Sequence, residues 1–370
     1  MADKSLIEWT DATWNPITGC TLVDDGCRHC YAAHLITSWP AIGNHPSRKG
    51  LARKNAAGES KFTGEVRFNE GWIDQPLRWK KPRRIFVCAH GDLFHPSVPD
   101  EWIDKVFAVM ALASQHTFQV LTKRPERARE YLTRPAGNGK QDVRNHIAWE
   151  AITPVMRAWA PNWTSEDIDG PHRSRAIQAC NTWPLPNIWL GTSISDQASA
   201  DLRITHLLAC PAAIRFISAE PLLGPVDLTE IASQRPDLRA SVIFDVVSGT
   251  GGIVGTLGKI DWVICGGESG PHARPMHPDW ARSLRDQCVA AGVPFLYKQN
   301  GEYMDGSHPS RAAVIVTNEG HLFQNTINVP ADLQRRWGEL TPCLMTRVGK
   351  KAAGRVLDGV EWLQFPEVEA

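Results

Sequence analysis

Six apolar segments recur along the chain, each rich in β-branched and aromatic residues and each running into polar or glycine-containing residues: RIFVCAHGDLF, TFQVLTKRP, NIWLGTSIS, AIRFISAEPLLG, DWVICGGESG and PFLYKQNG. Their continuous apolar character, without in-out alternation, is the pattern of strands covered on both faces, which belong to parallel sheets. Helix signals lie between them. In PDEWIDKVFAVMALASQ, the residues Trp102, Val106, Val109, Met110 and Ala113 share one helical face behind a start at Pro99 and Asp100. HPDWARSLRDQCVAAG repeats the design, with Trp280, Leu284 and Cys288 four apart and Gly292 as the stop. A first strand ending at the Thr18 to Cys20 turn brings the number of strands to seven. This alternation predicts an α/β fold, a partial or complete (β/α) TIM-type barrel, with a doubly wound open sheet as the competing arrangement.

Both arrangements gather chemistry at the carboxyl ends of the strands, where polar residues recur: Asp92, Lys123, Ser193, Glu220, Glu268 and Lys298. The barrel domain is expected to span 1–301. Two insertions interrupt it: a polar, Trp-punctuated helical excursion over 135–183, and a loop or hairpin over 236–258 carrying the run SGTGGIVGTLG. Residues 302–370 read as a C-terminal extension with a short strand around Ala312 to Val316 and a basic RVGKKAAGR turn.

Forty Lys and Arg balance forty Asp and Glu over 370 residues, so no global field argues for a nucleic-acid or membrane partner. The start, MADKSLIEWTD, lacks a signal-like apolar stretch, and the longest apolar run, Phe107 to Ala113, is too short to cross a bilayer. The expectation is a soluble, cytoplasmic protein without a membrane partner. Basic residues cluster in LTKRPER and in RWKKPRR, which holds Arg78, Lys80, Lys81, Arg83 and Arg84. The second run reads as a solvated loop before a strand. Lys123 and Arg124, at a strand end, read as phosphate or substrate contacts, and Lys298 and Gln299 as cavity-facing.

Nine cysteines, an odd number at irregular spacing, fit reduced thiols or metal ligands better than a disulfide framework. Three of them, Cys20, Cys27 and Cys30, form C-x6-C-x2-C in the stretch CTLVDDGCRHCY. Three thiolates suit a four-iron cluster with one iron left open, or a zinc ion recruiting His29 or His34 as a fourth ligand; three unrelated thiols are the bland alternative.

Three cysteines after the first strand of a (β/α) barrel resemble the radical S-adenosylmethionine superfamily, whose usual pattern is C-x3-C-x2-C with an aromatic residue before the last cysteine. Here the first spacing is six and His29 holds the aromatic position. More specifically, the chain is similar to the phage-associated three-cysteine-motif proteins, a family of unknown function. The resemblance is carried by TWNPITGCTLVDDGCRHCYA, GDLFHPSVPDEW, LTKRPER, SAEPLLG, GGESGPHARPMHPDWARSLRDQC, PFLYKQNG and RVGKKAAGRVLDGVEW, which span residues 13 to 362.

That resemblance implies a 4Fe-4S cluster on Cys20, Cys27 and Cys30, with S-adenosylmethionine on the open iron. One electron, from a donor such as flavodoxin or ferredoxin, would cleave the sulfonium to a 5′-deoxyadenosyl radical that abstracts hydrogen from an unidentified substrate, a nucleotide or nucleic-acid base being the leading class. His29, Asp92, Ser193, Glu220, Gly266, Gly267 and Glu268 are the implied cofactor contacts, and Lys123, Arg124 and Lys298 the substrate contacts. Each has a plainer reading. GGESG could be a tight turn, His90 and His95 hydrogen-bonded loop histidines, and Glu220 the ion-pair partner of Lys123 or Arg215. The alternative function is a non-catalytic zinc-binding phage protein with a structural or partner-binding role.

Overall fold

A computed structural model describes residues 5–134, 181–233, 243–249, 258–309, 311–324 and 329–367, with 147, 151–160 and scattered single positions between 162 and 178. Seven strands form one sheet: β1 (Ala12–Trp14), β2 (Arg84–Val87), β3 (Thr117–Thr122), β4 (Ile188–Ile194), β5 (Ile214–Ala219), β6 (Trp262–Gly266) and β7 (Phe295–Gln299). Their order is sequential, and β1–β2, β2–β3, β3–β4, β5–β6 and β6–β7 are each paired in parallel. Sequential order without reversal is the winding of a (β/α) barrel; a doubly wound sheet reverses at a switch point. Among the seven strands β1 pairs only with β2 and β7 only with β6, so the described pairings do not close the sheet.

All seven expected strands are present, with one boundary corrected. The first stops at Trp14, because Pro16 has no N–H to continue a ladder. Ile17–Thr18 instead pairs antiparallel with Arg67–Phe68, and a single parallel bridge, Gly19 to Gly91, follows.

The chain folds as two compact units. The first comprises Met1–Leu22, Ala32–Thr192 and His206–Arg215. Its core includes Trp14, Ile85, Phe118 and Val120, all fully buried. Helix Asp100–Leu112 starts where Pro99 and Asp100 predict, and buries Ile103, Val106, Phe107 and Met110. Burial of such side chains contributes about 1.5–3 kcal/mol each. The same unit carries an antiparallel hairpin, Ala52–Lys54 with Ser60–Phe62.

The second unit comprises Val23–Tyr31, Ser193–Thr205 and Phe216–Ala370. Helix Pro278–Ala291 buries Trp280, Leu284 and Cys288, and Gly292 stops it in the left-handed conformation (φ +66°) that glycine adopts without strain. The expected C-terminal strand is Ala313–Val316. It belongs to a four-stranded antiparallel sheet with Tyr303–Asp305, Cys343–Arg347 and Leu322–Phe323.

The expected insertions over 135–183 and 236–258 lie largely outside the described residues. Within them are helix Ile152–Trp159 and strand Ile243–Phe244, the latter antiparallel to Ile231–Ala232. Among the described residues no helix is long and apolar enough to cross a membrane.

Candidate functional site

In the first unit the strand ends of β2 and β3 meet at Asp92. A buried carboxylate must be satisfied, and Asp92 is. Its Oδ1 accepts from the Phe94 N–H at 3.0 Å and the Thr122 hydroxyl at 2.7 Å, and its Oδ2 from the Lys123 N–H at 3.3 Å and Arg124 Nη1 at 2.7 Å. Arg124 also donates to the Thr21 carbonyl (3.2 Å) and hydroxyl (2.8 Å), and its Nη1 lies 3.6 Å from the Cys20 sulfur. Burial works against the Arg124 charge, but Asp92 and Cys20 outweigh it and raise the pKa further. A guanidinium beside a thiol favours the thiolate, the form that binds metals.

His95 completes this corner. The Ser97 N–H donates to its Nδ1, so the neutral ring carries hydrogen on Nε2 and donates to the Thr21 hydroxyl at 3.0 Å. Burial and the Arg124 charge lower the His95 pKa, which keeps the ring neutral. His90 accepts from Arg48 Nε at 2.8 Å. Both histidines are therefore the hydrogen-bonded loop residues of the plainer reading. Lys123 differs from its neighbour. Its Nζ is sealed from solvent and has no hydrogen-bond partner among the described residues.

In the second unit the loop that precedes Cys27 is held at both of its aspartates. Asp24 caps a 3₁₀ turn, Asp25–Cys27, its Oδ1 accepting from the Cys27 N–H at 3.2 Å and its Oδ2 from Arg203. Arg203, 2% exposed on helix Gln197–Leu208, also donates to the Ser193 carbonyl at 2.7 Å. Asp25 is paired with Arg274. Arg274 in turn clamps Glu268, donating from its backbone N–H and Nε to Oε2, each at 2.8 Å, and from Nη2 to Oε1 at 2.6 Å.

Burial pushes the Glu268 carboxyl up, but Arg274 and His29 outweigh it and hold the pKa below the usual range. An ionised carboxylate only accepts, so the His29 Nδ1, 3.1 Å from Oε2, must be the protonated nitrogen. Such carboxylate–imidazole pairing is what orients histidine ligands in metal sites.

Glu220 pairs with Lys298 at 2.9 Å and accepts from the Ser218 hydroxyl at 3.2 Å. Lys298 projects from the end of β7, and in the first unit Arg215 donates to the Cys210 carbonyl. The Ser193 hydroxyl donates to the Glu220 carbonyl at 3.3 Å.

The first two glycines of GGESG meet neighbouring parts of the chain itself. A Cβ on Gly267 would stand 2.3 Å from the Asn300 carbonyl oxygen, and one on Gly266 2.8 Å from Glu220 Oε1. Their bareness admits neighbouring protein atoms.

Cys20, Cys27 and Cys30 are each partly exposed, whereas Cys88, Cys210, Cys265 and Cys288 are buried. Burial drives the Cys88, Cys265 and Cys288 thiols upward, away from ligand chemistry. Among the described residues no three His, Cys, Asp or Glu side chains are drawn together as ligands of a single ion. His34 Nδ1 lies 3.3 Å from the Ser38 hydroxyl.

Sequence reading missed Arg203 and Arg274. The signal for Arg203 was a lone cation on an otherwise apolar helical face in ADLRITHLL; Arg274 lay inside the quoted GPHARP block.

These features define a class, an α/β protein with sequentially wound parallel strands that end in paired acids and bases, and with a three-cysteine loop after the first strand. The chain belongs to the family of proteins of unknown function DUF5131, whose family model matches residues 4–366. No curated protein and no solved structure matches it.

Proposed function

We propose that this protein is a radical S-adenosylmethionine enzyme on a partial (β/α) barrel, with Cys20, Cys27 and Cys30 holding a 4Fe-4S cluster and a nucleotide or nucleic-acid base as the substrate class. The observation that carries the reading is the C-x6-C-x2-C loop after the first strand of a sequentially wound parallel sheet, with its three thiols partly exposed while four others are sealed in the core. The donor set fits the group. Three thiols suit a cluster that keeps one iron open, and Arg124 beside Cys20 favours the ionised ligand. When bound, the cluster supplies the electron that cleaves S-adenosylmethionine, received from a donor such as flavodoxin or ferredoxin.

The chain's own residues have distinct tasks in this proposal. Arg203 and Arg274 fix the loop through Asp24 and Asp25, so Cys27 leaves it from a capped turn. Asp92 orients Arg124 rather than meeting a ligand directly, because its oxygens are already taken by four donors. Glu268, similarly occupied, positions His29. Lys123, whose buried Nζ has no hydrogen-bond partner among the described residues, is the β3-end cation assigned to a substrate anion, and Glu220 with Lys298 can trade partners with a polar ligand.

Anaerobic reconstitution with iron and sulfide tests the proposal. A brown protein carrying four irons per chain, and a Cys27→Ala variant that loses them, are the expected results. One observation favours a second reading: the Glu268-oriented imidazole of His29 lies between Cys27 and Cys30 in sequence and suits a zinc site. In that case the protein arrives colourless with one zinc per chain, and His29→Ala lowers the zinc content.

A further inference from the structure

Residues 45–84 contain eleven Lys and Arg against four Asp and Glu, in a chain whose totals cancel. Internal pairing absorbs much of the excess near the end of this stretch. Arg78 pairs with Asp74, Arg83 lies over the Trp79 ring at 4.8 Å, and Arg84 pairs with Asp11. The hairpin Ala52–Lys54/Ser60–Phe62 is different. Arg53 and Lys54 are exposed and have no ion pair among the described residues. Arg53 stands directly opposite Lys61 across the ladder. Like charges so placed destabilise a hairpin, and Glu59, 3.4 Å from Lys61, offsets them.

The cationic surface continues beyond the hairpin. Arg67, paired with Glu65, also donates to the carbonyls of Pro46 and Lys49, which sets it beside the exposed Lys49. The neighbouring Phe68 stacks on Trp102 with ring centroids 5.3 Å apart, and Lys105 Nζ lies 5.3 Å over the Phe68 ring. Phe62, Phe68 and Trp102 are each partly buried, with some ring surface exposed. No large hydrophobic residue of 45–84 is strongly exposed, so the surface has no anchor to sink into a bilayer.

We infer that the 52–62 hairpin, with Lys49, Arg67, Lys105 and the Phe68–Trp102 stack, is a binding surface for a single nucleic-acid strand. The cations face phosphates and the exposed parts of the rings accept bases, the combination by which sequence-tolerant single-strand binders work. The inference deepens the nucleic-acid side of the proposed function. It needs neither cluster nor S-adenosylmethionine, so the two can fail separately.

Fluorescence polarisation of a labelled single-stranded oligonucleotide of about 16 nucleotides, titrated with the full chain at about 50 and 200 mM salt, tests it. Wild-type protein should bind, more tightly than it binds the matching duplex, and weaken with salt. The double variant Arg53→Glu/Lys54→Glu should lose at least about tenfold in affinity and flatten the log–log salt slope by roughly 1.4, two phosphate contacts' worth. The single variant Arg53→Glu, which sets opposite charges across the ladder, guards against misfolding and should also bind more weakly. Absence of binding at low salt, binding that neither variant alters, or attachment to phosphatidylserine vesicles but not to the oligonucleotide would each overturn the inference.

Discussion

Gly267 shows how a glycine can be legible while its reason is not. A glycine pair after a strand announces close approach, but the approaching group is the Asn300 carbonyl from a distant part of the chain. Gly267→Ala should therefore cost about 1–3 kcal/mol, read as a lower urea midpoint with an unchanged slope. His90 gives a pH dependence. Burial, then Arg48, pushes its imidazole down to about 4. An unfolded chain takes up that proton near 6.5, so between about 6.5 and about 4 the unfolded state binds more protons and stability falls as pH falls. The loss is roughly 3 kcal/mol over that window. His90→Gln, able to accept from Arg48, should flatten this part of the stability profile; an unchanged slope would show that His90 is protonated in the folded state. The ion pairs were the least legible features. Sequence marks Glu220 as a strand-end acid, but only the order of the strands sets Lys298 beside it.

Among the elements, strands and helix ends were readable because apolar runs, Pro99 and Gly292 are local signals. The first strand was drawn too long because its apolar character continues past Pro16, where pairing switches to Arg67–Phe68. In the C-terminal sheet only Ala313–Val316 was legible. Its partners are short and lack a regular alternation of buried and exposed residues, which resembles loop. The cysteine loop rests on its cap, so Asp24→Ala should cost about 1 kcal/mol and speed thiol labelling of Cys27; equal labelling rates would mean that Arg203 and Asp24 do not hold the turn. The basic hairpin predicts a trade-off. Arg53→Glu should raise stability by about 0.2–1 kcal/mol by removing the like-charge pair, measured as a higher melting temperature.

For the whole molecule, sequential strand order decides between the two architectures that alternation alone permits, and it sets the chemistry-bearing residues at successive strand ends. The proposed role of Cys20, Cys27 and Cys30 is to hold a cluster that cleaves S-adenosylmethionine. The most direct measurement is 5′-deoxyadenosine formation by the anaerobically reconstituted, reduced protein. The product should form with wild type and not with Cys30→Ala. A fully loaded wild-type protein that produces none, or a Cys30→Ala variant that produces as much, would contradict it.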